Sequence, residues 1–412
     1  MFWEKRLENW AQDVKAKLDL PLRVDLWNGQ QLSFSHALPE VIVRVPHVSA
    51  LSCLLTPSLS NLGSAYVEGK IDIEGKPSAI IKIGNALASG TLKMEGKFAR
   101  LVRKVKRSKE KDKKDIQYHY DVSNDFYKLW LDENLVYSCA YFENGNEDLA
   151  TAQIKKIDHI LNKINIQPGN TLLDIGCGWG ALVIRAAQQY GIKCVGITLS
   201  ENQVKHAKEQ VAKAGLSHLI EIRLQDYRDV VGPFDRITSV GMFEHVGLKN
   251  LPTYFATIND LLAQGGMAMN HGITSTDAHS GETPYGNGEF IEKYVFPNGE
   301  LPHLSLALKS MQQGGLEVVD IENLRRHYAK TCELWGHKFE ENSDQIKQLV
   351  GDRRHRIWRV YLAGCVHAFN QDWISLYQVV CVKSGAHPSQ LAWARNANTN
   401  SNANPKANST RH

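Results

Sequence analysis

The 412-residue sequence has few cysteines, little net charge and no long apolar run. The seven cysteines (Cys53, Cys139, Cys177, Cys194, Cys332, Cys365 and Cys381) are scattered, with no Cys-x-x-Cys pair. That argues against a disulfide scaffold or a zinc ribbon and for a reducing compartment. The net charge of +4 is too small over this length to indicate a nucleic-acid binder. The most apolar early stretch, Val41 to Leu55, is interrupted by Arg44 and Pro46. Nothing approaches the roughly 18 apolar residues of a membrane-spanning helix. The N-terminus, Met1-Phe-Trp-Glu-Lys-Arg, is charged and lacks the apolar core of a secretion signal. A cytoplasmic protein is expected.

What is present suggests about two domains. Apolar residues make up 43% and charged residues 22%, the balance of a globular chain. Phe2–Leu18 reads as an amphipathic helix. Val41–Val45 and Ala79–Ile83 read as strands, and Gly63–Gly75 as turns and short extended pieces. Arg100–Lys114 holds nine Lys/Arg against two Glu/Asp. This segment suits either a solvated linker or an anchor for anionic lipid headgroups. From residue 150 strands and helices alternate. Ile154, Ile157, Leu161 and Ile164 share one helical face, and strands are expected at Thr171–Ile175, Ile192–Ile197, Ile220–Leu224, Arg236–Val240 and Met267–His271. That order predicts an open α/β sheet with its ligand beyond the carboxyl ends of the strands. Leu316–Ile321 and Leu376–Val382 read as further strands and Arg353–Phe369 as a long helix. The Asn/Ser-rich tail from Ala394 reads as disordered.

The most informative local motif is Leu172-Leu-Asp-Ile-Gly-Cys-Gly-Trp-Gly180. A buried strand runs into Gly176, Gly178 and Gly180 and then a helix, with Asp174 at the strand end. The G-x-G-x-G spacing differs from the G-x-G-x-x-G of dinucleotide binders. It suits a cofactor with an amino acid and a nucleoside but no pyrophosphate, and S-adenosylmethionine (SAM) fits. A nicotinamide-dependent oxidoreductase is the rival that a strand, glycine loop and helix alone would allow. Thr198 and Ser200 stand where many SAM enzymes carry an acidic ribose ligand, and Ser200 with Gln203 has capping-box spacing. Asp226, after the third strand, is placed to accept from an adenine amino group or to be a plain loop carboxylate.

Several motifs together resemble the cyclopropane-fatty-acid synthase family of SAM-dependent methyltransferases, which includes the mycolic acid cyclopropane synthases. They are Tyr118–Tyr127, Tyr137–Phe142, the Asp174–Gly180 loop, Val195–Gln203, Gly241–Gly247, Lys293–Gly299 and Arg356–Gly364. The resemblance implies a Rossmann-like α/β methyltransferase sheet, at residues 117–392, behind a smaller mixed α/β lipid-handling domain at 1–99. A basic linker would occupy 100–116 and a disordered tail 393–412. It implies methyl transfer from SAM to a cis double bond of a phospholipid acyl chain, with ring closure assisted by a bound bicarbonate. The implied ion ligands are Glu244, His271, Tyr328 and the backbones at Cys139 and Ile273. The implied cofactor set is Tyr137, Ser138, Asp174, Gly176, Gly178, Gly180, Thr198, Leu199, Ser200, Gln203, Gln225 and Asp226. Gly272 departs from the threonine of many relatives. Relatives also make methyl-branched fatty acids or methylate small amines, so those reactions stay open. A membrane surface on the inner face, an unsaturated phospholipid and a second copy of the chain are the partners implied; no metal and no nucleic acid are.

The chemistry of these residue types agrees. A carboxylate beside bicarbonate needs a shared proton, which Glu244 or His271 can supply. A thiolate role for Cys139 has no charged neighbour in sequence to support it. Tyr118, Tyr120, Phe126, Tyr127, Tyr137, Tyr141 and Phe142 are either core packing or a wall that steadies a cation.

Overall fold

The computed structural model describes residues 2–50, 59–91, 123–278, 287–296 and 299–386. The basic segment 100–116, Tyr118, Tyr120 and the tail 393–412 lie outside the described residues. The chain packs as two compact units. One draws on Met1–Leu131, Ser275–Gly299 and Tyr328–Ile374; the other on Asp132–Thr274, Glu300–His327 and Ser375–His412.

In the first unit a four-stranded sheet combines β1 (Leu22–Leu26), β2 (Gln31–Ser33), β3 (Val41–Val45) and β4 (Asp72–Gly75) in the order β2-β1-β3-β4. β1 and β3 alternate buried and open positions, the mark of a sheet covered on one face. The helix Phe2–Leu18 forms as expected, and the Trp10 ring meets Phe34 edge-on at 5.0 Å. Two expectations fail here. Ala79–Ile83 is not a strand: Pro77–Thr91 is one helix, with Pro77 at its start and Ile83 and Leu87, four apart, in the core. Helical spacing of the buried positions won over β-branched propensity. Of Gly63–Gly75, expected as turns and short extended pieces, the first part falls in the helix Leu59–Val67, and only Asp72–Gly75 is extended.

The motif Arg356–Gly364 finds its role in this unit. It lies on the helix Asp352–Asn370, where Arg359 donates to Glu340 (2.7 Å), the Tyr66 hydroxyl (3.2 Å) and the Gly75 carbonyl (3.2 Å). Arg356 reaches the Tyr66 carbonyl at 3.1 Å and lies over the Tyr66 ring at 4.7 Å. Phe126 and Tyr127 are fully buried among Trp130, Phe339 and Trp358. For these two rings, core packing is the role.

The second unit carries the large sheet: β5 (Thr171–Ile175), β6 (Lys193–Thr198), β7 (Ile220–Leu224), β8 (Phe234–Val240), β9 (Leu262–Ser275), β10 (Leu316–Asn323) and β11 (Ile374–Lys383). The order is β10-β11-β9-β8-β5-β6-β7. β7, β6, β5, β8 and β9 run parallel, and β10 is antiparallel to β11. The order reverses at β5, which makes its carboxyl end the crevice for a ligand. Both faces are covered. Leu172 packs with Ile157, Ile160, Val183 and Ala186, whereas Leu173 and Ile175 point the other way, to Ile237, Tyr254 and Phe255. Each large side chain so buried contributes about 1.5–3 kcal/mol.

Candidate active site

The glycine loop leaves β5 at the point where the strand order reverses. Gly176, Gly178 and Gly180 all have positive φ, a region L side chains avoid. A side chain at Gly180 would press on Ala207 at 3.2 Å, so this glycine serves close packing of the loop. At Gly178 (φ +55°) nothing lies within 4 Å of a would-be side chain, so the backbone faces open space. A backbone left open in this way lets a ligand approach closely, as the loop of a SAM site requires. The N–H groups of Gly176 and Cys177 both go to the Ile197 carbonyl at 2.9 Å, which ties the loop to β6. Asp174 is buried and accepts from the Thr238 hydroxyl at 2.7 Å. Burial pushes its carboxyl up to about 6 against that bond and the charge of Lys156.

At the end of β6, Ser200 caps the helix Glu201–Lys213 by accepting from the Gln203 N–H at 3.3 Å. The other half of a capping box does not form: the Gln203 side chain takes the Thr198 hydroxyl at 2.6 Å. Leu199 is half-buried between them. After β7, the Gln225 amide donates to the Asp229 carbonyl at 2.7 Å. Both Asp226 carboxylate oxygens bond Arg228, at 2.8 and 2.6 Å. An adenine amino group would therefore share Asp226 with Arg228. Tyr137 is half-buried and Ser138 buried, on the segment before the helix Leu149–Lys163.

Glu244 lies just after β8, and His271, in the second half of β9, pairs with Val240 at the end of β8. Glu244 is 7% and His271 1% exposed. Glu244 Oε1 accepts the Ile273 N–H at 2.7 Å. The Ile273 donor is thus engaged by Glu244, where an anion alone was expected; an ion would share it. Glu244 Oε2 and His271 Nε2 are both buried without a hydrogen-bond partner among the described residues. Such orphaned groups are rare and ask for a polar occupant. Burial pushes the Glu244 carboxyl up to about 7 against the pull of the Ile273 N–H, and holds the His271 imidazole well below its usual range. The Gln378 amide lies 3.2 Å from His271 Nδ1. With the amide donating, Nδ1 is the acceptor and Nε2 carries the proton. A carboxyl raised to about 7 and a neutral imidazole N–H can each donate, and donors of that kind suit a small anion such as bicarbonate.

Gly272 has a clear reason: a side chain there would run into the Phe243 ring beside Glu244. Cys139 is fully buried, with Sγ 3.2 Å from the Ala140 carbonyl and 3.9 Å from that of Leu324. Tyr141 is stacked between His159 (4.2 Å) and His327 (4.9 Å), and His327 Nδ1 accepts the Phe142 N–H at 3.0 Å. Tyr328 belongs to the first unit, where its ring lies 4.7 Å from Phe369 and 5.9 Å from Trp335. No local pattern pointed to the buried polar groups Gln378, Thr238, Gln153 and Lys156. All but Gln153 and Lys156 sit inside strands, and a strand buried on both faces shows no polar-apolar alternation that would flag them.

Comparison with known proteins identifies the family. Residues 107–379 match the family described as mycolic acid cyclopropane synthetase, and residues 9–85 match a domain of unknown function. A Pseudomonas putida protein named probable fatty acid methyltransferase is 43% identical over 92% of this chain and 96% of its own. Cyclopropane mycolic acid synthase 1 of Mycobacterium tuberculosis is 36% identical over 65% of this chain and 96% of its own. The solved structure of a mycolic acid cyclopropane synthase complexed with SAH and CTAB superposes with a TM-score of 0.62 at 36% identity, covering 65% of this chain and 97% of that one. With its seven-stranded Rossmann-like sheet and these matches, the chain belongs to the mycolic acid cyclopropane synthetase family of SAM-dependent methyltransferases.

Proposed function

We propose that the protein is a cyclopropane-fatty-acyl-phospholipid synthase, acting on a cis double bond of a phospholipid acyl chain. When bound, SAM supplies the methyl group and bicarbonate a base for the proton released as the ring closes. The observation that carries the reading is the pair of buried, unpartnered atoms Glu244 Oε2 and His271 Nε2. Gln378 orients the imidazole and the Ile273 N–H orients the carboxyl. Glu244, balanced near neutral pH, presents a proton to an anion without a second full negative charge beside it. Cys139 and Tyr328 complete the proposed ion set, Cys139 through its backbone and Tyr328 through its hydroxyl. The glycine loop, Thr198, Leu199, Ser200, Gln203, Gln225, Asp226, Tyr137 and Ser138 form the proposed cofactor set. Residues 1–99 and the basic segment 100–116 would handle lipid at the inner membrane face, in a homodimer.

Incubation with SAM and vesicles of unsaturated phospholipid tests this. The expected result is a mass gain of one methylene on an acyl chain, with cyclopropane protons in place of alkene protons. A lipid with its alkenes intact would sink the proposal. A second reading, a methyl-branched fatty acid, fits the name of the Pseudomonas putida relative. A branch methyl signal without ring protons would favour it, and a methylated small amine with unchanged lipid would favour an amine methyltransferase.

A further inference from the structure

The helix Leu149–Lys163 turns Ala152, Ile157, Ile160 and Leu161 to the core, and buries two polar side chains with them: Gln153 and Lys156. Lys156 is 2% exposed. Both residues point at the segment that holds Tyr137 and Ser138. Gln153 Nε2 donates to the carbonyls of Val136 (3.3 Å) and Ser138 (2.8 Å). The Asp132 carboxylate takes the N–H groups of Asn134 (3.0 Å) and Val136 (2.9 Å). The backbone on either side of Tyr137 is thereby fixed.

Lys156 makes one hydrogen bond, from Nζ to Ser138 Oγ at 2.9 Å. An ammonium only donates, so the serine oxygen accepts and its own hydrogen is left to donate elsewhere. Two further ammonium N–H directions have no partner among the described residues. Burying an ammonium so sparsely bonded is costly, and a methionine would fill the same space without that cost. The charged and titratable groups facing it are Asp132, Asp174 and Cys139, and its charge in turn bears on His271. Burial holds the Lys156 ammonium down to about 8.

We propose that Lys156 is a positioning residue of the cofactor site: it fixes the Ser138 hydroxyl as a donor and supplies a buried positive charge for the carboxylate of the amino-acid end of SAM. The inference rests on the SAM reading of the site and adds to it a residue and an ionic contact. Ser138 is the link. Its hydroxyl, polarised by the ammonium behind it, is a stronger donor to an anion than an ordinary serine.

The test is calorimetric titration of the full chain with SAH, which shares the amino-acid end, at about pH 7 and about pH 9.5. Lys156→Met is expected to weaken SAH by about tenfold at the lower pH, the size of one charge-assisted contact. The gap between wild type and variant should shrink to under about threefold at the higher pH, because wild-type Lys156 there loses its own charge. Comparing the two proteins cancels the titration of the ligand's own amino group. Ser138→Ala should also weaken binding, and Lys156→Met added to it should cost little more. Lys156→Gln serves as a second variant, should methionine impair folding, with circular dichroism as the check. Equal affinity of variant and wild type at pH 7, or the same deficit at both pH values, would overturn the inference. A wild-type protein that ignores SAH would overturn the SAM reading beneath it.

Discussion

Glu244 shows how one buried carboxyl ties stability to pH. Its pKa is raised from 4.5 to about 7 in the folded chain, so between those values the folded state binds more protons than the unfolded one. Its contribution is therefore fully present below about pH 4.5 and is lost as pH rises through about 7. Glu244→Gln keeps an oxygen for the Ile273 N–H and removes the titration. Thermal melts should show the variant gaining on wild type by about 2–3 kcal/mol at pH 8 and by little at pH 5. The same variant should bind SAH normally yet lose most turnover in the vesicle assay. A wild-type rate would remove Glu244 from the proposed ion site. The glycines make a second contrast. Gly178→Ala places a methyl in open space at φ +55° and should cost the fold about 1 kcal/mol while clearly weakening SAH. Gly180→Ala strains a φ of +92° and also presses on Ala207, so it should lower the melting temperature more.

At the level of elements, the helix Asp352–Asn370 holds the small sheet through Arg359. Its guanidinium, half-buried, serves Glu340, Tyr66 and Gly75 at once. Arg359→Met leaves Glu340 and the Gly75 carbonyl without this donor. The expected loss is about 2–4 kcal/mol, read by chemical denaturation. Lysine at this position should recover only part, because it cannot fork between partners. The Arg356–Gly364 motif was visible in the sequence, but its partners at residues 66–75 are almost 300 positions away. No local pattern connects them. The strand expected at Ala79–Ile83 fails for a related reason. A five-residue stretch with four apolar positions fits either element, and Leu87 in the same core decides for the helix.

For the molecule as a whole, the central question is access to lipid. No helix among the described residues is long and apolar enough to cross a membrane. The nine basic residues of Arg100–Lys114 carry the surface-docking proposal. Sedimentation with anionic vesicles should show binding that weakens with salt and drops by about tenfold or more when four of these residues are reversed in charge. Binding indifferent to both changes would remove this segment from the proposal.

Local sequence determined the large sheet of this protein and its glycine loop. β5 to β11 follow from short apolar runs with turn residues between them, and G-x-G-x-G after β5 needs only the backbone freedom of glycine to be recognised. The positions of Glu244 and His271 were also legible as motifs. Their state was not. Which oxygen meets Ile273, which imidazole nitrogen is left over, and how far burial raises the carboxyl depend on β8, β9 and β11 lying side by side. Lys156 lies furthest from what a sequence shows: in the helical pattern it is one more lysine among apolar residues. Its meaning arises because tertiary packing removes its water and offers it a single hydroxyl, and desolvation is a property of the fold, not of the residue.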